Sequence, residues 1–171
     1  MECGDKITNK HINYILGGGW VPPHPFEKIG IFRTKVLSPF DEPKTQIEQI
    51  REFDADTLVA YPSLVRVLSK EAMEKYIHGV NTHLIFSVGE MLDEYTRKLA
   101  REAFEADIFD CYGAVEAGRI SNECVKHTGY HILSDSVLVE ITRDDKAVST
   151  GEEGEVTVTN LNNYAMPFVR Y

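Results

Sequence analysis

Short apolar runs alternate with stretches of helical periodicity along the middle of this chain, and this alternation constrains its fold more than any other feature. Three runs predict buried strands: residues 57–60, 83–88 and 107–111. Helices are predicted from 43 to 53, from 62 to about 68, from 71 to 77 and from 91 to 104. Because strands that alternate with helices form parallel sheets covered by those helices, we expect an α/β fold.

The predicted helices each have one apolar face. In the first, second and last of them this face consists of Ile47, Ile50 and Phe53; of Leu64, Val67 and Leu68; and of Leu92, Tyr95, Leu99 and Ala103. These spacings of three and four residues place the side chains on one side of a helix.

The pattern changes after residue 116. Strands without intervening helices are predicted at 129–133, 137–141 and 155–159, with polar turns at 144–146 and 151–154. We therefore expect a parallel sheet with flanking helices, followed by an antiparallel β segment. The predicted boundaries give an irregular segment from 1 to 37 with short strands near 29–32 and 35–37, a βα subdomain from 38 to 128, and the antiparallel segment from 129 to 171.

The net charge of −9 argues against nucleic acid or an anionic membrane surface as a partner, since both recruit basic patches. No apolar run approaches the roughly 20 residues that a membrane span requires. Three cysteines are an odd number for a disulfide framework, so the composition favours a soluble protein of the reducing cytoplasm.

The end of the third predicted strand is the strongest candidate for a binding site. Tyr112 and Gly113 end this strand abruptly, and Glu116 follows three residues later. In open α/β sheets, ligands bind at the carboxyl ends of the strands. A nucleotide needs a flat partner for its base, close backbone approach for its phosphates and an oxygen ligand for its magnesium. These three residues therefore predict a nucleotide site.

Four motifs resemble, in the right order, those of adenylate-forming enzymes, with spacing similar to the phenylacetate–coenzyme A ligase branch. They are Ser-Val-Gly-Glu at 87–90, Asp-Cys-Tyr-Gly-Ala-Val-Glu at 110–116, Gly-Glu-Val-Thr-Val-Thr-Asn-Leu at 154–161 and Ala-Met-Pro-Phe-Val-Arg-Tyr at 165–171. The resemblance extends from about Ser38 to the last residue. That branch also includes synthetases that adenylate a deazaflavin coenzyme (coenzyme F-390 synthetase).

The resemblance implies a two-step reaction, in which a carboxylic acid is adenylated by ATP and the acyl group then passes to the thiol of coenzyme A. An aromatic acid is the expected substrate. By position in the motifs, Gly89 and Glu90 would lie along the adenine, and Asp110 near its exocyclic amine. Tyr112 would contact the adenine ring and Gly113 the α-phosphate. The carboxylate of Glu116 would be the catalytic group that binds Mg²⁺.

One residue departs from the family pattern. The family has Ser or Thr before the glutamate, where it donates a hydroxyl to the α-phosphate, whereas this chain has Val115. Phosphate contacts would then fall to backbone amides or another residue. The deazaflavin reaction, which adenylates a hydroxyl, therefore stays open, as does a non-catalytic nucleotide-binding or assembly module.

Several family features are absent from the sequence. There is no Ser/Thr/Gly-rich phosphate loop, no Gly-Asp after Tyr171 and no C-terminal domain with a catalytic lysine. We therefore expect an internal fragment of a larger ligase that is inactive alone, and that pairs with a second copy through apolar edges such as residues 168–169.

Cys124, His127 and His131 have the spacing Cys-x2-His-x3-His. Thiolate and imidazole suit tetrahedral zinc, and some members of the resembled branch hold a structural zinc around an equivalent segment. Cys124 and His131 are therefore candidate Zn²⁺ ligands. The alternative is that Cys124 is a small buried hydrophobic residue and that the histidines lie on the surface.

Overall fold

The structure is a computed structural model that describes the backbone of residues 10–14 and all atoms of residues 33–171. The chain forms two compact units, the first ending at Asp110 and the second running from Cys111 to Tyr171. The predicted boundaries at 37/38 and 128/129 stay predictions. The short strand expected at 29–32 lies outside the described residues.

The first unit is built on a parallel sheet. Its strands are β1 Lys10–Tyr14, β2 Arg33–Leu37, β3 Thr57–Ala60, β4 Leu84–Val88 and the beginning of β5 Asp107–Ala114, in the order β2-β1-β3-β4-β5. β1 pairs in parallel with both β2 and β3, and β3 pairs in parallel with β4. The predicted parallel sheet is therefore confirmed, although β1 was not among the predicted strands.

Within residues 33–110, three helices accompany this sheet: α1 Pro43–Phe53, α2 Pro62–Glu74 and α3 Glu94–Phe104. α1 and α2 each have proline in the first turn, where its missing N–H costs nothing. α3 begins at Glu94 rather than at the predicted Met91, because the carboxylate of Asp93 accepts a hydrogen bond from Thr96 N at 2.8 Å and caps the helix. The stretch at 71–77 is the end of α2 and its exit, not a separate helix.

The core of the first unit lies between these helices and the sheet. Its fully buried aliphatic side chains include Ile47, Ile50, Leu58, Leu68, Ile85 and Ile108. Two residues assigned to the apolar helix faces do not lie in the core. Val67 is 46% exposed because the buried face of α2 is formed by Leu64, Val65, Leu68 and Ala72. Tyr95 is 51% exposed, with the cations of Arg66 and Lys70 each 5.7 Å from its ring centroid.

The strands of the second unit pair in antiparallel fashion, which confirms the predicted antiparallel segment; they are the last strands of the seven-stranded sheet and a separate three-stranded sheet. The end of β5 pairs with β6 Gly118–Glu123, and β6 pairs with β7 Tyr130–Ile132. β8 Val137–Arg143 lies between β9 Lys146–Ala147 and β10 Glu155–Asn160. β6 and β9 were not predicted, and Lys146, expected in a turn, lies in β9. We expected β5 to end at Tyr112–Gly113. It continues to Ala114 instead, and its pairing with β6 is irregular between Tyr112 and Gly113.

The buried core of the second unit is small and consists of Ala117, Ile120, Val137 and Val158. The last residues of the chain extend its three-stranded sheet: Val158 N donates to Tyr171 O at 2.8 Å and Tyr171 N donates back to Val158 O at 3.0 Å. Within the described part of the chain, no helix is long and apolar enough to cross a bilayer.

Candidate functional site

The predicted site residues belong to both units. Gly89, Glu90 and Asp110 lie in the first unit, and Tyr112, Gly113 and Glu116 lie in the second.

Gly89 follows β4 in a conformation that only glycine adopts easily. Its φ is +75°, in the left-handed region where other residues are strained. A Cβ at this position would lie 2.9 Å from Cε1 of Tyr61, so the ring also leaves no room for a side chain. Two independent requirements therefore select glycine here, and both arise from the protein's own packing.

Glu90 forms two hydrogen bonds with one residue of α2. Its Oε2 accepts from Ser63 N at 2.9 Å, and its Oε1 accepts from Ser63 Oγ at 2.8 Å. The residue that precedes α2, Tyr61, provides no side-chain cap. The carboxylate of Glu90 therefore caps α2 from the loop after β4, a role that the sequence analysis did not assign to it.

Asp110 is the last residue of the first unit and lies on β5. Its Oδ1 accepts a hydrogen bond from Ser87 Oγ at 3.0 Å, and Ser87 is fully buried on β4. This bond orients the half-buried carboxylate, whose predicted contact with the adenine amine stays a prediction.

Tyr112 is half-exposed on β5 and lines an apolar cavity of about 400 Å³ in the second unit. The cavity is also lined by Ile120, Ser121, Tyr130, Ile132, Val139, Ile141 and Val156. The phenol ring is therefore not part of a closed core and is accessible to a flat ligand.

Gly113 is required by the hairpin between β5 and β6. A Cβ there would lie 2.6 Å from the carbonyl oxygen of Gly118, a backbone atom that cannot move aside. The absence of a side chain at Gly113 thus lets the backbone of β6 approach β5. The predicted contact of Gly113 with a phosphate stays a prediction. Val115 follows in the turn and is completely exposed.

Glu116 lies in the same turn and is half-buried. The hydroxyl of Tyr171 donates a hydrogen bond to its carboxylate; this bond, reinforced by the negative charge, raises the pKa of the Tyr171 phenol. The turn is further held by Asn160, whose Nδ2 donates to Ala117 O at 3.1 Å. Mg²⁺ is commonly bound through one or two carboxylates together with substrate phosphates, so this single accessible carboxylate fits such an ion.

The candidate zinc ligands lie at the end of β6 and on β7. Residues 124–129 form a tight turn in which Cys124 N donates to Gly129 O at 2.7 Å. His131 is exposed and lies opposite Asn122, whereas Nδ1 of His127 is 3.2 Å from the carboxylate of Glu123. Among residues 33–171, no group of three or more His, Cys, Asp or Glu side chains could hold a metal ion. The described residues therefore do not form the donor set that zinc needs.

The sequence analysis missed the residues that support the candidates. Ser63, Ser87 and Tyr171 each bond to one of them, and Tyr61 fills the space beside Gly89. The position of Ser63 as the second residue of a predicted helix was a usable signal, because its amide needs an acceptor. Nothing in the local sequence of Tyr171 indicates its distant partner.

Neither the family models nor the curated proteins contain a match to this chain. Many solved structures are similar to it. A 2-hydroxyisobutyryl-CoA ligase, solved with 2-HIB-AMP and CoA, matches with a TM-score of 0.76 and 14% identity over 95% of this chain and 38% of that one. VinN matches with a TM-score of 0.68 and 20% identity over 90% of this chain and 40% of that one.

A third solved relative is a benzoate CoA ligase from Burkholderia xenovorans LB400, with a TM-score of 0.63 and 16% identity over 92% of this chain and 35% of that one. The chain thus spans between 35% and 40% of the length of these three proteins. At these identities the likeness concerns the fold alone. The chain therefore has the fold of one part of an adenylate-forming enzyme.

Proposed function

We propose that this chain forms the nucleotide-binding part of an ATP-dependent ligase of the phenylacetate–coenzyme A ligase type. The whole enzyme would adenylate an aromatic carboxylic acid and transfer the acyl group to coenzyme A in the cytoplasm. The observation that carries the proposal is the β5–β6 hairpin, which presents an accessible phenol ring and an accessible carboxylate four residues apart. The fold, which is that of the acid–CoA ligases, supports it.

In this proposal Tyr112 stacks against the adenine, since a half-exposed aromatic ring offers its face to a planar base. The carboxylate of Asp110, oriented by Ser87, accepts a hydrogen bond from the exocyclic amine. The backbone near Gly113 approaches the α-phosphate. Gly89 belongs to the loop after β4, which the resemblance assigns to the adenine, and its left-handed conformation lets that loop pass close to Tyr61.

The first chemical step is a displacement at phosphorus. An oxygen of the substrate carboxylate bonds to the α-phosphorus, the bond to the bridging oxygen breaks, and pyrophosphate leaves with the electron pair. Such transfers depend mainly on positioning and on the neutralisation of charge on the phosphoryl oxygens. When bound, Mg²⁺ would supply that charge. Glu116 would hold the ion, and it must then exchange its hydrogen bond from Tyr171 for the cation.

A second candidate is the adenylation of a deazaflavin hydroxyl, as in coenzyme F-390 synthetases. The observation behind it is Val115, which is fully exposed and offers no hydroxyl to the α-phosphate. A pyrophosphate-release assay on the whole enzyme separates the two, with phenylacetate, benzoate and a deazaflavin as alternative acceptors. Pyrophosphate release that depends on the deazaflavin alone would replace the ligase proposal with the second candidate.

Binding by the chain itself is tested by thermal shift and calorimetry with AMP and with ATP, each with and without Mg²⁺. A ligand raises the melting temperature only if it binds the folded form. We expect stabilisation by both nucleotides, and tighter ATP binding with Mg²⁺. No stabilisation by any adenine nucleotide would favour a non-catalytic assembly module.

Replacement of Tyr112 by Ala tests the stacking role. Loss of one base–aromatic stack costs about 1–3 kcal/mol, so calorimetry should give an AMP affinity lower by about fivefold to somewhat over a hundredfold. The matched control is Tyr130→Ala, because Tyr130 lines the same cavity with similar exposure. Equal losses in the two variants would mean that the ring of Tyr112 has no special contact with the base.

Replacement of Glu116 by Gln tests the magnesium role. The amide keeps the shape of the side chain and removes its charge, so the Mg²⁺ concentration needed for half-maximal ATP affinity should rise, while AMP affinity without Mg²⁺ should stay near that of the wild type. Glu152→Gln, in an exposed turn, is the control. An unchanged Mg²⁺ dependence in Glu116→Gln would remove this carboxylate from the proposed site.

A further inference from the structure

We propose that Glu90 is a positioning residue whose carboxylate fastens the loop after β4 to the first turn of α2, and that it acts on the nucleotide only through that loop. The inference rests on the proposed function for what the loop binds. It assigns Glu90 a role different from the direct contact along the adenine that the sequence resemblance implies.

The first turn of α2 needs an acceptor that its own sequence does not supply. Tyr61 precedes the helix without a side-chain cap, and the first turn contains no acidic residue. Pro62 has no N–H, so Ser63 carries the first amide of the helix that requires a partner. Glu90 Oε2 satisfies this amide at 2.9 Å and places a negative charge at the positive end of the helix.

Both oxygens of Glu90 are used on the same residue. Because Oε1 accepts from the Ser63 hydroxyl at 2.8 Å while Oε2 accepts from the amide, the carboxylate is fixed in orientation as well as in position. A carboxylate held in this way on α2 has its hydrogen-bonding edge turned toward the helix. It anchors the loop instead of reaching out from it.

The residue before Glu90 contacts the same part of α2. Gly89 lies so close to the ring of Tyr61 that an added Cβ would be 2.9 Å from it, and Tyr61 directly precedes the helix. Two consecutive loop residues, Gly89 and Glu90, thus contact two residues at the start of α2. Glu90 and Ser63 are 27 positions apart along the chain. Because such a loop is already ordered before the ligand binds, less conformational entropy is lost on binding.

A double-mutant cycle for AMP affinity separates positioning from direct contact. The variants are Ser63→Ala, Glu90→Ala and the double variant, measured by calorimetry, with Glu90→Gln as the conservative substitution. We expect Ser63→Ala to weaken AMP binding about threefold, because it removes one charge-assisted hydrogen bond in an exposed setting. Glu90→Ala removes both hydrogen bonds and should weaken AMP binding about tenfold. The double variant should bind no more weakly than Glu90→Ala.

Glu90→Gln should restore part of the loss, because its amide oxygen still accepts from Ser63. The matched control is Ser149→Ala, since Ser149 N also donates to an exposed glutamate, Glu152, at 3.1 Å. AMP affinity in the control should equal that of the wild type. If Ser63→Ala binds AMP as the wild type does while Glu90→Ala binds weakly, Glu90 contacts the nucleotide directly and the proposal is wrong.

If the wild-type chain binds no adenine nucleotide, the proposed function fails, and the positioning role is decided by NMR. The backbone amide signals of Gly89 and Met91 should then move, and their hydrogen exchange should accelerate, in both Ser63→Ala and Glu90→Ala. Signals and exchange rates identical to the wild type in both variants would overturn the proposal.

Discussion

The two units of this protein bury their apolar residues to different degrees. In the first unit, helices and a parallel sheet enclose side chains such as Ile47, Leu58 and Ile85, which have almost no exposed surface. In the second unit the described core consists of four residues, while Tyr130, Ile132, Ile141 and Val156 stay between 39% and 50% exposed. The difference follows from architecture, because a parallel sheet is covered by its own crossover helices whereas an antiparallel ribbon is not.

The candidate residues in the two units differ in the same way. Gly89 and Glu90 are held by helix contacts within a packed unit. Tyr112 lines a cavity whose walls are accessible. The candidate residues Gly89 and Glu90 are thus fixed by packing contacts within the first unit, whereas Tyr112 in the second unit is accessible.

The largest expected effect contrasts one isoleucine in each unit. Ile85→Ala, at a position with no exposed surface, should lower the free energy of unfolding by about 3–4 kcal/mol, because it removes buried methyl groups and leaves a cavity. Ile141→Ala, at 39% exposure, should lower it by about 1 kcal/mol. Urea unfolding of both variants checks the contrast. Similar losses would mean that the two units are equally well packed.

A smaller effect is expected from two glycines with nearly the same backbone angle. Gly89 and Gly118 have φ of +75° and +73°, but only Gly89 has a ring beside it. Gly118→Ala should cost about 1 kcal/mol of unfolding free energy from backbone strain alone, and Gly89→Ala about 2–3 kcal/mol, since Tyr61 must also move. Equal costs in urea unfolding would show that Tyr61 yields freely.

The smallest effects concern pH, with opposite signs in the two units. The pKa of Asp93 is lowered, chiefly by hydrogen bonds from Thr96, so its contribution to stability is fully present above its ordinary pKa of 3.8 and is lost as pH falls through the lower folded value. The pKa of Tyr171 is raised by Glu116, so its contribution is present below its ordinary pKa of 10.0 and is lost as pH rises through the higher folded value.

Melting temperatures of matched variants across pH check this pair of effects. Asp93→Asn keeps a capping side chain but no longer titrates. The fall in melting temperature at acidic pH should therefore be smaller by a few degrees than in the wild type. Tyr171→Phe should flatten only the alkaline side. A change on the same side in both variants would contradict these assignments.

Elements with strong apolar periodicity were predictable from the sequence. β3 and β4 are compact apolar runs, and α1 has the predicted bounds because proline marks its start and its buried residues recur at helical spacing. Val67 and Tyr95 were assigned to the core because three- and four-residue spacings on a short helix fit more than one face.

Two of the unpredicted strands, β1 and β6, have sequences in which polar residues dominate: Lys-His-Ile-Asn-Tyr and Gly-Arg-Ile-Ser-Asn-Glu. β6 is paired with β5 across a short turn despite its polar sequence, whereas β1 pairs with strands distant along the chain, for which local propensity carries no signal. The same holds for the candidate site. Tyr112, Gly113 and Glu116 were recognisable as residue types, whereas the Glu90–Ser63 bonds join residues 27 positions apart and could only be seen in three dimensions.

Asn160 has a consequence for how the second unit can move. Its Oδ1 accepts from the amides of Asn162 and Asn163 at 2.8 and 2.9 Å, while its Nδ2 holds the Ala117 carbonyl in the turn that carries Glu116. One side chain therefore pins two bends together, and neither can loosen without disturbing the other. An aspartate there would keep the first bend and free the second, which would uncouple the two.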